Sequence, residues 1–212
     1  MKANVLYLYY DIMNLYGENG NIRMMERLLT EKGAQVTVER KTITDDAIDF
    51  TQYDFIYCGA GTELSRDACL KHLAKFKESL KKAYEAGKVM LFTGNSYEML
   101  GKTLHTAQGE DVKGLGLFDF TVQEQKKNRY SGDVTLKCGL FPDEQLIGYI
   151  NKCSVVEGIK NPLFEITSVV GTIKDTTDGL REKNLFGTQV TGPVMVKNRA
   201  FAEYIANLIL KK

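Results

Sequence analysis

Short apolar runs typical of β-strands alternate with helix-like stretches along the first half of the chain. Two parallel strands need a long crossover between them, usually a helix, so this alternation predicts βαβ units and a mostly parallel central sheet flanked by helices. Glycine-containing turns end several runs, as expected where a strand gives way to a helix. The predicted strands are residues 5–9, 35–39, 55–58 and 88–93. Three helices are predicted: the first begins near Ile22 and stops at Gly33, the second spans residues 65–86, and the third is a short segment at residues 97–100.

The second half of the chain has a different pattern. Its apolar runs are short and little helix separates them, which favours antiparallel strands appended to the parallel core. A final amphipathic helix is predicted at residues 198–210. Because no repeat, low-complexity tract or linker interrupts the sequence, residues 1–212 are interpreted as a single α/β domain. The strand-like runs are residues 118–123, 133–136, 146–150, 164–170 and 185–190.

Charge and hydropathy exclude several classes of function. The 28 basic and 27 acidic side chains leave a formal charge of +1, and 43% of the residues are hydrophobic. A near-neutral chain lacks the basic surface that binds a phosphate backbone, so no nucleic-acid partner is expected. No apolar run approaches the roughly 18 residues of a membrane span, and no signal-peptide pattern follows Met1. We therefore expect a cytoplasmic protein.

The cysteines and histidines do not form a recognisable metal or disulfide pattern. The four cysteines are irregularly spaced and include no CxxC pair, which is typical of reduced thiols. The two histidines, His72 and His105, are too few for a histidine-based metal site without grouped carboxylates. We expect neither a metal nor a cofactor.

Six short motifs follow one another along nearly the whole chain. They are NLYGENGN at residues 14–21, GAG at 59–61, YEMLG at 97–101, GLGLFD at 114–119, NRYSGD at 128–133 and NLFGT at 184–188. In this order they resemble the class I glutamine amidotransferases, in the branch of the cobyric-acid-synthase-like domains. Within that branch the likeness is to the GatD-like amidotransferase subunits of lipid II isoglutaminyl synthases.

The resemblance implies a flavodoxin-like fold that hydrolyses glutamine and passes ammonia to a synthetase partner. In such enzymes a cysteine thiolate attacks the amide, a histidine is base and acid, and backbone N–H groups hold the oxyanion. Here the position matching the cysteine is Gly94, and the position matching the histidine is Thr191. Loss of a nucleophile or base from a hydrolase costs about a million-fold in rate. The resemblance therefore predicts a pseudo-glutaminase with no catalytic residue at either position.

Other parts of a glutamine site are matched. Arg129 corresponds to the arginine that the family assigns to the substrate, and a guanidinium can hold a carboxylate bidentately; a surface arginine in the basic run 126–129 is an equal alternative. The turn Gly59-Ala60-Gly61, with the N–H of Asn95, corresponds to the oxyanion side, although glycines also simply permit tight turns. In the family, the nucleophilic cysteine stands at a sharp strand-to-helix turn, the elbow, and small residues, usually glycine, follow it. In this chain the elbow position is Gly94, and Asn95 and Ser96 follow it. The ligand-binding candidates are Arg129, Gly59, Ala60, Gly61, Asn95 and Ser96.

A relocated nucleophile is a further possibility. Cys153 is the best candidate because the resemblance places residues 151–154 near the active-site mouth, but no histidine accompanies it. Ser96 stands at a strand-to-helix turn without the GxSxG pattern of hydrolases. The remaining candidates are interpreted structurally, Cys58 and Cys69 as core residues and His72 and His105 as surface residues.

Two classes of function remain open. The first is a pseudoenzyme subunit that docks on a Mur-ligase-like synthetase, in the context of peptidoglycan precursor amidation. The second is a free-standing binding protein or enzyme that takes glutamine or a related small molecule in the vacated pocket. Aromatic and methionine side chains are candidate docking contacts, with core packing as the alternative: Tyr9, Tyr10, Met13, Tyr16, Tyr97 and Met99.

Overall fold

The computed structural model describes residues 1–211, which form fifteen strands, five α-helices and three 3-10 segments. Within this range every helix is too short or too polar to span a bilayer. The helices are α1 (Asn19–Glu31), α2 (Glu63–Leu73), α3 (Lys77–Glu85), α4 (Val194–Lys197) and α5 (Arg199–Leu210). The strands are β1 (Lys2–Leu8), β2 (Gln35–Lys41), β3 (Phe55–Cys58), β4 (Val89–Thr93), β5 (Thr103–His105), β6 (Asp111–Lys113), β7 (Thr121–Glu124), β8 (Tyr130–Lys137), β9 (Leu146–Lys152), β10 (Ser154–Glu157), β11 (Phe164–Gly171), β12 (Thr177–Asp178), β13 (Leu180–Glu182), β14 (Leu185–Thr188) and β15 (Val190–Thr191).

The central sheet has six strands in the order β13-β14-β4-β3-β1-β2. All neighbours pair in parallel except the edge pair β13 and β14, which is antiparallel. Every residue of β3 and β4 is buried. Strands covered on both faces need apolar side chains on both sides, which explains their continuous apolar runs.

Helices cover both faces of this sheet. Side chains alternate between the faces of a strand, so Tyr57 packs in one buried cluster with α1 and α5, and its neighbour Cys58 packs in the other with α2 and α3. The apolar stripe of α1 contains Ile22, Met25 and Leu28, spaced by three residues and buried against the first face. The predicted α/β architecture with a mostly parallel, helix-flanked sheet is confirmed.

The second half of the chain adds two largely antiparallel sheets, as predicted. Their strand orders are β10-β7-β5-β6 and β12-β11-β8-β9-β15. In the second of these, β15 pairs with β9 through Val190 with Ile150 and Thr191 with Tyr149. This pairing carries the end of β9 and the whole of β15 to the carboxyl edge of the central sheet.

Three predicted elements differ from the structure. The long helix expected at residues 65–86 is interrupted by the 3-10 turn Ala74–Phe76. The expected strand at residues 185–190 is split, and its first part pairs in parallel with β4 inside the central sheet instead of joining the antiparallel strands. The short helix expected at residues 97–100 is part of a 3-10 segment, Gly94–Leu100, that starts directly after β4.

Candidate functional site

The candidate site lies where parallel strands of the central sheet end together. The carboxyl ends of neighbouring parallel strands meet at one edge of a sheet, and ligand sites of open α/β folds form there. Two hydrogen bonds tie the loops at this edge together: Leu15 N–H donates to the Ala60 carbonyl at 2.9 Å, and Gly192 N–H donates to Glu18 Oε1 at 2.9 Å. The loop after β1 is therefore tied both to the loop after β3 and to the segment that follows β15.

The two positions matched to the nucleophile and the base lie side by side. Gly94 has a φ of +58°, and a Cβ built on it would lie 3.1 Å from Thr191 Cγ2. The same Cβ would overlap the Cβ of Ala60. The space that a nucleophile's side chain needs is thus partly filled by the Ala60 methyl group.

Thr191 offers no proton-transfer chemistry. Its side chain is 2% exposed, and its hydroxyl donates to the Tyr149 carbonyl at 3.2 Å. A threonine hydroxyl does not accept and return protons near neutral pH as an imidazole does. The base position is therefore occupied by a structural hydroxyl.

Asn95 binds the backbone of Gly61 on the side of the site that the resemblance assigns to the oxyanion. Its Oδ1 accepts from the Gly61 N–H at 3.0 Å, and its Nδ2 donates to the Gly61 carbonyl at 2.9 Å. An oxyanion hole works through N–H groups that are free and aimed at the developing charge. The Gly61 N–H is already used within the chain, so the geometry removes one donor that the sequence resemblance assigned to this side.

Ser96 has a structural position. It is fully buried, and its hydroxyl lies 3.0 Å from the Cys58 carbonyl and 2.8 Å from the Thr93 carbonyl, the acceptors for its single proton. These contacts join the ends of β3 and β4. With its proton held by backbone carbonyls and no base beside it, Ser96 is not set up as a nucleophile.

Glu18 lies beneath the elbow, and its role was not predicted from the sequence. The carboxylate is 0% exposed; Oε2 accepts from Tyr57 Oη at 2.5 Å and from Thr93 Oγ1 at 2.8 Å, while Oε1 accepts from the Gly192 N–H at 2.9 Å. Burial raises the pKa of Glu18, although these hydrogen bonds oppose the shift. The residue joins the loop before α1 to Thr93 and Gly192, the neighbours of the positions matched to the nucleophile and the base. Its only signal in the sequence was its place in the first motif.

Arg129, a predicted substrate-binding residue, lies at the mouth of the site and is already paired. Its Nη1 lies 3.0 Å from Glu63 Oε1, and its Nε donates to Asn151 Oδ1 at 2.6 Å. The Cys153 thiol donates to the same Glu63 oxygen at 3.2 Å. Burial, and then the nearby Glu63 carboxylate, raise the pKa of Cys153 to about 12. A thiol with that pKa carries almost no thiolate at neutral pH.

A buried ion-pair network forms the inner wall of the site. The Arg66 guanidinium is 1% exposed and lies 2.7 Å from Glu98 and 2.6 Å from Glu124. The other Glu98 oxygen accepts from Ser154 Oγ at 2.5 Å and from Gln189 Nε2 at 2.7 Å. These charges are satisfied within the chain. The sequence did not single out Arg66, because a charged side chain in a helix is usually exposed.

The cavity that remains is very small. Its volume is about 10 Å³, which is about the space needed by one water molecule. Small-molecule sites usually have volumes of roughly 300–1,000 Å³. With Arg129 and Glu63 in this position, the cavity does not admit a glutamine molecule. It is lined by Tyr16, Ala60, Gly61, Glu63, Arg66, Asn95, Glu98, Arg129, Asn151, Lys152, Cys153, Gln189 and Thr191.

The remaining sequence candidates have structural positions. Cys58 and Cys69 are fully buried, which confirms their interpretation as core residues. The prediction that His72 is a surface residue is wrong: it is 5% exposed, and its Nδ1 lies 2.9 Å from Tyr9 Oη. The packing of α2 on the loop after β1 accounts for this burial. His105 is partly exposed beside Asp111. Within residues 1–211 no group of three or more His, Cys, Asp or Glu side chains is arranged to hold a metal ion.

Comparison with known proteins identifies relatives over nearly the whole chain. Residues 4–198 match the model of the CobB/CobQ-like glutamine amidotransferase domain. The GatD subunit of lipid II isoglutaminyl synthase (glutamine-hydrolyzing) from Staphylococcus aureus is 30% identical over 96% of this chain and 83% of that protein. The corresponding subunit from Streptococcus pneumoniae is 29% identical over 100% of this chain and 82% of that protein.

Solved structures agree on the fold. A chain of PurLQS from Thermotoga maritima aligns with a TM-score of 0.63 and 17% identity, covering 99% of this chain and 98% of that one. A crystal structure described as a glutamine amidotransferase aligns with a TM-score of 0.62 and 14% identity, covering 97% and 98%. The predicted flavodoxin-like class I amidotransferase fold is confirmed.

Proposed function

The chain belongs to the CobB/CobQ-like glutamine amidotransferases and is GatD-like, and from this premise we propose that it is a pseudo-glutaminase subunit that docks on a synthetase. In this proposal residues 1–212 act as one cytoplasmic domain that has kept the fold of its family without the hydrolysis of glutamine.

The observation that carries the proposal is the state of the elbow. Gly94 supplies no nucleophile, Thr191 supplies no base, and the Asn95 side chain occupies the Gly61 N–H. The Ala60 methyl group fills space that a cysteine at position 94 needs. The departures from the family pattern at positions 94, 95 and 191, together with this crowding, support a site that no longer catalyses acyl transfer.

Two alternatives are less well supported. A free-standing protein that binds glutamine in the vacated pocket requires the Arg129–Glu63 ion pair to separate, because the cavity holds about 10 Å³. A relocated nucleophile at Cys153 requires a thiolate, whereas the pKa of this thiol is raised to about 12.

A synthetase partner is proposed from the relatives. The two GatD proteins are named as subunits of lipid II isoglutaminyl synthase, which implies a second subunit in those enzymes. The family resemblance suggests a Mur-ligase-like protein in that role and a context of peptidoglycan precursor amidation. A subunit that has lost its chemistry would stabilise or regulate such a partner.

Exposed apolar side chains lie beside the mouth of the site. Leu64 is 83% exposed next to Glu63, which lines the cavity, and Leu15 is 52% exposed next to Tyr16, which also lines it. Tyr10 is 38% exposed on the same loop as Leu15. Apolar residues exposed together mark interaction surfaces more often than isolated ones do. We define this rim as Tyr10, Leu15, Tyr16 and Leu64 and propose that the synthetase covers it.

The rim differs from the docking contacts expected from the sequence. Of those six side chains, only Tyr10 and Tyr16 reach the surface. Four others are at most 2% exposed, because the loop after β1 and the 3-10 segment pack inward: Tyr9, Met13, Tyr97 and Met99. The alternative of core packing holds for these four.

Co-expression with a Mur-ligase-like protein encoded beside this chain is expected to give a complex that co-elutes on gel filtration at micromolar concentration. Leu64→Glu should weaken that complex at least tenfold, since about 1.4 kcal/mol suffices and a buried anchor often contributes more. The matched control is Gln35→Glu, because Gln35 is exposed at the start of β2, at the amino end of the strands and away from the rim. Separate elution of the two wild-type proteins would contradict the docking proposal.

A further inference from the structure

A second cavity lies on the far side of Lys152 from the vestigial site. It has a volume of about 280 Å³, whereas the first cavity has about 10 Å³. Lys152 lines both cavities, and residues 174–179, around strand β12, form much of the wall of the second. The second cavity is therefore close in size to the smaller sites that bind small molecules.

Lys152 is a buried charge with donors to spare. Its side chain is 7% exposed, and its one ion pair within residues 1–211 is to Asp175 Oδ1 at 3.0 Å. A lysine ammonium has three N–H donors, and a buried charge is costly unless it is well paired. Asp175, 31% exposed, is the other half of this pair and keeps oxygen lone pairs open to solvent. Lys152 and Asp175 can therefore bind a ligand that carries both a negative and a positive group.

The charges around the cavity define the chemistry of the ligand. Lys152 and Lys174 supply two ammonium groups, and Asp175 supplies one accessible carboxylate. The carboxylate of Asp178 also borders the cavity, but one of its oxygens accepts from the Gln189 N–H and the other from the Thr188 hydroxyl. The two ammonium groups and the accessible Asp175 carboxylate are complementary to a molecule with two carboxylates and one ammonium group.

Other small ligands fit less well. A phosphate group has no ammonium group to pair with Asp175, and the carboxylate of Asp175 would repel a dianion. A nucleotide would need a stacking surface for its base, and the only aromatic residue of the lining, Tyr97, is 2% exposed. The hydroxyls of Thr176 and Thr177 and the aliphatic side chains of Val156 and Ile159 suit a short, polar molecule with a methylene chain.

We propose that this second cavity binds an acidic α-amino acid, with its α-carboxylate on Lys152, its ammonium group on Asp175 and its side-chain carboxylate toward Lys174. The site is separate from the vestigial glutamine site and does not depend on the proposed docking role.

Calorimetric titration of the purified chain with L-glutamate tests this proposal. We expect saturable binding with a dissociation constant of roughly millimolar or below, and NMR shifts at Thr176 and Thr177. Lys174→Met, at an exposed position where folding is not at risk, should weaken binding about tenfold, because a charge-assisted hydrogen bond is lost. L-glutamine, which lacks the second carboxylate, should bind about tenfold more weakly for the same reason.

Two further variants locate the site. Lys152→Met should weaken binding at least as much as Lys174→Met, and Lys32→Met, an exposed lysine after α1, should leave it unchanged. No binding of L-glutamate at roughly 10 mM would overturn the proposal. So would equal affinity of Lys174→Met and the wild type, or loss of binding in Arg129→Ala, which would place the ligand in the first cavity. Because these readouts involve no partner, their failure is distinguishable from failure to dock.

Discussion

The double variant Gly94→Cys with Thr191→His is expected to remain at least about 10²- to 10³-fold below a working glutaminase, the typical cost of one lost oxyanion donor. Restoring the two side chains does not restore the site. A Cβ at position 94 overlaps the Ala60 methyl group, and the Asn95 side chain still holds the Gly61 N–H. A misplaced nucleophile facing an occupied oxyanion donor gains little, since such sites act through preorganised geometry.

A stepwise series tests this explanation. Adding Ala60→Gly makes room for the cysteine, and adding Asn95→Gly frees the Gly61 N–H, so the fourfold variant should exceed the double variant in ammonia release from glutamine. The matched control adds Gln35→Glu to the double variant instead. Turnover by the double variant close to that of active family members would show that the pocket is otherwise intact and would contradict this explanation.

Gly94→Ala is expected to lower the free energy of unfolding by about 2–5 kcal/mol. Roughly 1–2 kcal/mol comes from the left-handed backbone at φ +58°, and about 1–3 kcal/mol comes from overlap with the Ala60 methyl group. Denaturant unfolding of the single variants and of Gly94→Ala with Ala60→Gly measures both parts.

Adding Ala60→Gly to Gly94→Ala should recover only the part of the lost free energy of unfolding that comes from overlap with the Ala60 methyl group. Gly33→Ala is the matched control, because Gly33 has a φ of +85° and nothing within 4 Å of its Cβ position, so it reports the backbone strain alone. A Gly94→Ala variant no less stable than Gly33→Ala would show that Ala60 does not crowd the elbow.

Much of the central sheet could be predicted because each of its strands is marked by a short apolar run in the sequence. The apolar runs at residues 55–58 and 88–93 can be buried on both faces only between layers of helix, and the structure places them in the middle of the sheet. The strand at Leu185–Thr188 was assigned to the antiparallel half, since its pairing with β4 joins residues far apart in sequence. Local patterns carry no information about such partners.

The site was predictable in its positions but not in its contacts. The motif order located Gly94 and Thr191, and the structure brings them together. The hydrogen bonds of Asn95 to Gly61 depend on the exact approach of two loops, and the burial of Arg66 depends on carboxylates supplied by distant elements. A single sequence shows which side chains are present, but not which of them neutralise one another.

The most direct test of the pseudo-glutaminase account measures ammonia release from glutamine by the wild-type chain, alone and with its synthetase partner, alongside labelling by a glutamine-like electrophile. The account predicts ammonia at the level of the buffer blank in both cases and no labelled cysteine, because position 94 carries no thiol and burial raises the pKa of Cys153 to about 12. Stoichiometric labelling of any cysteine, or ammonia release that follows glutamine concentration, would contradict it, and a label on Cys153 would identify a relocated nucleophile.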